Sequence, residues 1–158
     1  MKISARARYG LRIMLDIAAN SRDFPRSIKD IALSQQISEK FISQLVIPLR
    51  QAGYIRSTRG IQGGLQISRK PELITLLNIV ETMEGPISVL DCVSCTQVCP
   101  RQDICRVSGI WGGLNASIRE YLQRITLKDI LEETRTGGDA ATAISEAGVP
   151  AQTAPPQP

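Results

Sequence analysis

The chain is 158 residues long, 42% hydrophobic and 4% aromatic, with a formal net charge of +4 and no histidine. That length buries one core, built from Leu, Ile, Val and Ala rather than aromatic rings. The composition excludes imidazole general bases, His-dependent triads and every zinc site that needs His, and no apolar run approaches the roughly 18 residues that span a bilayer.

The first predicted helix is ARARYGLRIMLDIAAN, started by Ser4, with Leu11, Leu15 and Ala18 on one side and Tyr9, Ile13 and Ile17 on another. A helix apolar on more than one side sits against several partners. Residues 20–26 read as a loop. Ser27-Ile28-Lys29-Asp30 is a capping-box-like start for a short second helix that gives way near Gln36. Ser38 caps a third, SEKFISQLVIPLRQAG, stopped by Gly53; Pro48 inside it is expected to kink the helix or split off its last turn. A hairpin follows in YIRSTRGIQGGLQISR, with Ile55, Ser57, Leu65 and Ile67 on two short strands and Gly60, Gly63 and Gly64 between them. Helix, helix-turn-helix, two-stranded ribbon is the order of a winged helix-turn-helix domain, expected over residues 1–70.

Charge agrees with that reading. Residues 1–70 hold 13 Lys+Arg against 4 Asp+Glu, net +9, whereas residues 71–158 hold 6 against 11, net −5. A basic half beside an acidic half suits polyanion binding by the first half alone. MKISARARYG has no apolar h-region, so no secretory signal is expected and the location expected is cytoplasmic.

Beyond residue 70, Thr75 starts a helix with Leu76, Ile79, Val80 and Met83 on one face, closed by Gly85-Pro86. All four cysteines of the chain then fall within fourteen residues, DCVSCTQVCPRQDIC: Cys92, Cys95, Cys99 and Cys105. Clustered cysteines in a chain without export read as metal-binding or redox-active. GIWGGLNASIREYLQRI places Trp111, Leu114, Ile118, Tyr121 or Leu122, and Ile125 at three-to-four spacing, a stripe that wants a partner. TLKDILEE adds a short capped turn. Residues 71–134 are thus expected to hold the cysteine-loop sensor and dimerisation helices, and residues 135–158, dense in Gly, Pro and Ala, a disordered tail. The fold class is mainly α: a winged helix-turn-helix with a long C-terminal dimerisation helix.

Taken together, MKISARARYGLRIMLDIA, ISEKFISQLVIPLRQAGYI, the STRGIQGG wing, NIVETMEGPI, the cysteine loop and IWGGLNASIREYLQRITLKDIL resemble the bacterial Rrf-type winged-helix regulators. The likeness is greatest to their iron–sulfur cluster regulators and the nitric-oxide-sensing and iron-responsive relatives, and it runs from about Met1 to Glu133. It implies a homodimer built on the long C-terminal helices, an iron–sulfur cluster in the cysteine loop, and control of transcription, in the sense of a repressor, by cluster state.

For DNA, the helix beginning at Ser38 is the expected recognition helix, since the second helix of a helix-turn-helix enters the major groove N-terminus first. Ser38, Lys40, Ser43 and Gln44 lie where they would meet base edges; Gln bonds adenine bidentately and Ser is adaptable. Ser38 is equally read as a plain N-cap. Arg59 at the wing tip suits the negative potential of a narrow minor groove, a role the resemblance supports. Arg50, with Lys2, Arg6, Arg8 and Arg56, reads as a phosphate contact or plain surface. Double-stranded operator DNA is the expected partner, and no membrane.

The cysteine spacing is C-x2-C-x3-C-x5-C. Cys92, Cys99 and Cys105 match the three cysteines of the family signature, and Cys95 is extra. The resemblance puts a fourth ligand at a His, where this chain has Ser108, or at an N-terminal acid, where it has Arg8. Cys95 is the remaining soft donor, and an all-Cys site holds a two-iron or a four-iron cluster equally well. A four-Cys zinc site and a metal-free thiol switch stay open as alternatives. An iron–sulfur electron carrier could use a similar run, but has no need of a basic helix-turn-helix with a glycine wing. No Gly-rich phosphate loop or G-x-S-x-G elbow is present, so no enzyme is expected.

Overall fold

The structure, a computed structural model, describes residues 3–20, 24–60, 63–94, 99 and 104–136. Its elements are α1 (Ala5–Asn20), α2 (Ile28–Gln35), α3 (Glu39–Gln51), β1 (Ile55–Thr58), β2 (Gly64–Ile67), α4 (Leu76–Glu84), α5 (Asp91–Ser94), α6 (Ser108–Arg124) and α7 (Leu127–Thr136). Local chemistry sets most of the boundaries. The Ser4 hydroxyl accepts from the Ala7 N–H at 3.3 Å, Ser27 from Asp30 at 3.1 Å, and Ser38 from Phe41 at 3.2 Å. Thr75 and Asn78 complete a reciprocal capping box. α2 ends on Gln36, a non-glycine residue at φ 56°, which turns the chain into α3. α3 ends with Gly53 at φ 73°, whose N–H bonds the Arg50 carbonyl while the Tyr54 N–H bonds that of Leu49, a Schellman closure.

One expectation from sequence is corrected, that Pro48 splits off the last turn of its helix. α3 runs through Pro48 to Gln51 without a break. Proline deletes only the bond to the Gln44 carbonyl, and Gln44 is exposed, so water can serve there; Leu45, Val46 and Leu49 on the other side are buried and hold both ends of the helix to one core. Ahead of α2, Arg26 forms a strand-like bridge, exchanging both backbone hydrogen bonds with Leu65, each at 2.8 Å. The wing proper pairs β1 antiparallel with β2, Ile55 opposite Ile67 and Thr58 opposite Gly64. A Cβ at Gly64 would lie 2.7 Å from the Arg26 carbonyl oxygen, which is why glycine stands where the wing meets that segment.

α1 is the central helix. Ala7, Ile13, Met14 and Ile17 are buried, and the helix touches α2, α3, β2, α4 and α7. Ile31, Ile42, Leu45, Leu49, Ile55, Leu65, Ile74, Ile79, Val80, Met83 and Leu127 complete one core with it, so the core does not stop at residue 70. α4 comes so close that a Cβ at Gly10 would lie 2.9 Å from Met83 Cγ. α7 is tied in by backbone bonds of 2.8 Å from Leu76 to Ile125 and from Leu127 to Ile74. It runs to Thr136; the rest of the expected tail, residues 137–158, lies outside the described residues. No helix among the described residues is long and apolar enough to cross a membrane.

One polar group is buried in this helix, and sequence reasoning missed it. The Asp16 side chain is 3% exposed. Its Oδ1 accepts from Arg26 Nε at 2.8 Å; its Oδ2 accepts from the Ser34 hydroxyl and from Gln35 Nε2, the latter at 2.9 Å. Burial alone would raise the Asp16 pKa, but the hydrogen bonds from Arg26, Ser34 and Gln35, with the charge of Arg26, outweigh it and hold the carboxyl below its ordinary 3.8. The unfolded chain therefore binds this proton more tightly than the folded one. The stabilisation is complete above the unfolded value and is lost as pH falls through the depressed folded value. Asp16→Asn is expected to cost about 1.5–3 kcal/mol at neutral pH, the range for hydrogen bonds to a charged group. In urea titrations the wild-type advantage should stay level between about pH 5 and 7 and shrink below about pH 4. An advantage that persists undiminished into strong acid would contradict the role of the charge.

Candidate DNA-reading face and cysteine cleft

α3 divides sharply by face. Ile42, Leu45, Val46 and Leu49 are buried, and Ser38, Lys40, Ser43, Gln44, Ile47, Arg50 and Gln51 are exposed. Helical geometry puts Lys40, Ser43, Gln44, Ile47 and Gln51 on the outward side and Arg50 at its flank. Ser38 spends its side-chain oxygen on the Phe41 N–H, so its capping role is present; Ser43 donates to the Glu39 carbonyl at 2.8 Å. Lys40 and Gln44 carry no such intrahelical bond among the described contacts. Sequence reasoning missed Ile47 and Gln51. Ile47 is 48% exposed, an apolar side chain on a polar face, and it lines a cleft of about 500 Å³ with Gln44, Gln51 and Arg6 of α1. The signal that could have found them is plain helical spacing from Lys40 and Gln44.

Contacts from α1 aim this face. The Tyr9 and Phe41 rings meet edge to face with centroids 5.6 Å apart. Arg12 lies 5.2 Å over the Tyr9 ring and bonds both the side chain and the carbonyl of Gln35, each at 3.0 Å. Arg59 follows β1 at the wing tip and is exposed, beside Gly60 at φ 116°. The Gly63 N–H closes the turn onto the Gly60 carbonyl at 2.9 Å. Arg6, Arg8 and Arg56 are exposed as well; Lys2 lies outside the described residues. The arrangement offers polar and cationic groups from a helix and from a wing tip, as major- and minor-groove contact requires.

The second site is formed by α5, α6 and the segment between them. Cys92 of α5, Cys99, and Cys105 ahead of α6 line one cleft of about 200 Å³ with Val93, Ser108 and Gly112. All three are free thiols, half-buried. Cys95 lies outside the described residues. The donor type suits iron or zinc, since thiolates are soft ligands. Among the described residues no three His, Cys, Asp or Glu side chains converge on one point. The Ser108 hydroxyl donates to the Cys105 carbonyl at 2.9 Å, binding the last cysteine to the first turn of α6.

The segment entering the cleft is held from two sides. The Ile87 N–H donates to Glu81 of α4 and the Val89 N–H to Asn115 of α6, each at 3.1 Å. Glu81 also pairs with Arg119, one turn after Asn115. Outside those contacts α6 is poorly covered. Leu122 is buried, whereas Ile110, Trp111, Leu114 and Tyr121 are exposed and Ile118 and Ile125 half-buried. Spacing alone left Tyr121 and Leu122 undecided; Leu122 turns inward and Tyr121 joins the exposed stripe.

A protein-family model described as "Rrf2: Iron-dependent Transcriptional regulator" matches residues 3–133. The protein rrf2 of Nitratidesulfovibrio vulgaris is 39% identical over 133 residues, 84% of this chain and 89% of its own. The solved structure of CymR, described as the global cysteine regulator of B. subtilis, superposes with a TM-score of 0.70 at 34% identity, over 84% of this chain and 97% of that one. The solved structure of T. potens IscR superposes with a TM-score of 0.69 at 31% identity, over 92% of this chain and 96% of that one.

Proposed function

The chain belongs to the Rrf2 family of transcriptional regulators, and from that premise we propose that its cysteine cleft holds an iron–sulfur cluster whose state controls operator binding by a homodimer. It is a DNA-binding regulator of winged-helix fold and not an enzyme. The observation that carries the proposal is the single cleft shared by Cys92, Cys99 and Cys105, in a family whose description is iron-dependent. When bound, such a cluster supplies a centre that changes charge or is lost on reaction with oxidants or small ligands. The three cysteines would hold it, with Cys95 as the soft donor available for a fourth position.

The chain's own contacts supply a route from cleft to DNA. Cys92 follows closely on Val89, which Asn115 holds, and on Ile87, which Glu81 holds. Glu81 stands on α4, and α4 meets α1 at Gly10 and Met83. α1 in turn carries Tyr9, Arg12 and Asp16, which contact α3, α2 and the base of the wing. Ser38, Lys40, Ser43 and Gln44 would read the major groove, Arg59 the minor groove, and Arg50 a phosphate. The exposed stripe of α6 supports pairing with a second copy through Trp111, Leu114, Ile118, Tyr121 and Ile125, since burying such a stripe is the main gain in helix association.

A second reading is supported by the likeness to a cysteine regulator: the free thiols of the cleft act without metal, two of them joining in a disulfide as an oxidant takes two electrons. Anaerobic purification of the full chain separates the readings. The iron–sulfur reading expects a coloured protein with acid-labile sulfide near-stoichiometric with iron, both lost in Cys92→Ala, Cys99→Ala and Cys105→Ala. A colourless protein with one zinc per chain, or with no metal and air-sensitive thiols, would overturn it.

The assembly has its own test. Ile118→Glu places a charge in the stripe and should convert a dimer to a monomer in sedimentation at about micromolar concentration, with weaker operator binding because two half-sites are no longer bound jointly. A wild type that sediments as a monomer would contradict the homodimer.

A further inference from the structure

We propose that Asp16 is a positioning residue for DNA reading: its carboxylate fixes the wing against the recognition helix, so that Arg59 and the α3 side chains reach their two grooves together. The inference rests on the DNA-reading face described above and adds to it a residue that touches no DNA.

The two oxygens of Asp16 are divided between the two DNA-facing parts. Oδ1 holds Arg26 Nε at 2.8 Å, and Arg26 is the residue whose backbone brackets Leu65 of the wing with a pair of 2.8 Å bonds. Oδ2 holds Ser34 and Gln35, the last residues before the Gln36 turn that launches α3. One planar group, 3% exposed and carried on the central helix, therefore ties the base of the wing to the elbow of the helix-turn-helix. Neither part needs the tie in order to form. β1 and β2 pair with each other, and α2 and α3 bury Ile31, Ile42, Leu45 and Leu49 in the apolar core. What the carboxylate adds is their mutual placement. Two contacts on one rigid body bind far better than two on parts that shift, because the second contact is made at no further cost in ordering.

Asparagine is the informative substitution. It keeps the volume, but only one of its terminal atoms is an acceptor, and the other is a donor that faces the Arg26 guanidinium or the Gln35 amide nitrogen. One arm is lost while the core is left filled. The change also removes a negative charge, so generic attraction to DNA should rise slightly rather than fall. A loss confined to the operator cannot come from charge.

The test uses full-length protein and a duplex that the wild type enriches from a random-sequence pool, with a scrambled duplex as control. Affinities are read by fluorescence anisotropy at one fixed salt concentration, on variants shown by circular dichroism to be folded at the assay temperature. Asp16→Asn should lower the operator-to-scrambled affinity ratio about 10-fold or more, the size of misreading one base pair, with scrambled-DNA affinity unchanged or slightly raised. Arg59→Ala should cost the wild type clearly more, in fold-change on the operator, than it costs Asp16→Asn, because a wing already out of register has less to lose. If Asp16→Asn does not fold, Ser34→Ala, which changes no charge and leaves Oδ2 with Gln35 alone, should show an operator-only loss of smaller size. An unaltered ratio in folded variants, equal losses on both duplexes, or an undiminished Arg59→Ala effect would overturn the proposal while leaving the DNA reading intact. A wild type that enriches no sequence would overturn the DNA reading and this inference with it.

Discussion

Tyr9, Arg12 and Asp16 stand at i, i+3 and i+7 on α1, and each element proposed to face DNA is referred to that stripe. Tyr9 meets Phe41 in the first turn of α3, Arg12 and Asp16 meet Gln35 at the end of α2, and Asp16 meets Arg26 at the foot of the wing. The spacing is what puts three side chains on one helical face. The opposite demands on α1 are apolar: Ile13, Met14 and Ile17 fill the core and Gly10 lets α4 approach. A single helix thus carries the core on some sides and the polar alignment of the reading face on another. This is why it can be neither shortened nor rotated without disturbing both.

The cysteine end is built on different terms. Its entering segment is fixed by two backbone N–H bonds, to Glu81 and to Asn115, and its last cysteine is joined to α6 through the Ser108 hydroxyl. Between these fixed points Cys92, Cys99 and Cys105 line one cleft. α6 also faces two ways. Leu122 turns inward, while Trp111, Leu114 and Tyr121 face outward. In the proposed function α6 carries both Ser108 of the cleft and the stripe assigned to dimer contact, so a change in the one would be felt by the other.

How much of this is legible in the residues alone depends on how local each signal is. Ser27, Ser38 and Thr75 announce their helices because a hydroxyl caps a backbone three residues away. Gly60, Gly63 and Gly64 mark the wing for the same reason, and four cysteines in a short span stand out without any fold. Pro48 misleads: the local rule predicts a break, and the buried Leu45, Val46 and Leu49 override it at the cost of one outer hydrogen bond. The Arg26–Leu65 bridge is invisible because its partners are 39 residues apart in sequence and neither is a turn residue. Asp16 could have been suspected, since an acid between Leu15 and Ile17 on an apolar helix must find donors; which donors only the fold decides. Spacing likewise groups Trp111, Leu114 and Ile118, but cannot tell Tyr121 from Leu122, one position apart on the edge of the stripe.

In the proposed function the cysteine cleft governs the reading face. The most direct test of this is operator affinity measured on one preparation of the full chain, as purified without oxygen and again after exposure to air, beside a Cys99→Ala variant treated identically. A coupled regulator predicts a change of about 10-fold in the wild type, within the usual range for linked sites, no change on scrambled DNA, and no response in Cys99→Ala. Equal operator affinity before and after exposure, or a Cys99→Ala variant that responds as the wild type does, would contradict it.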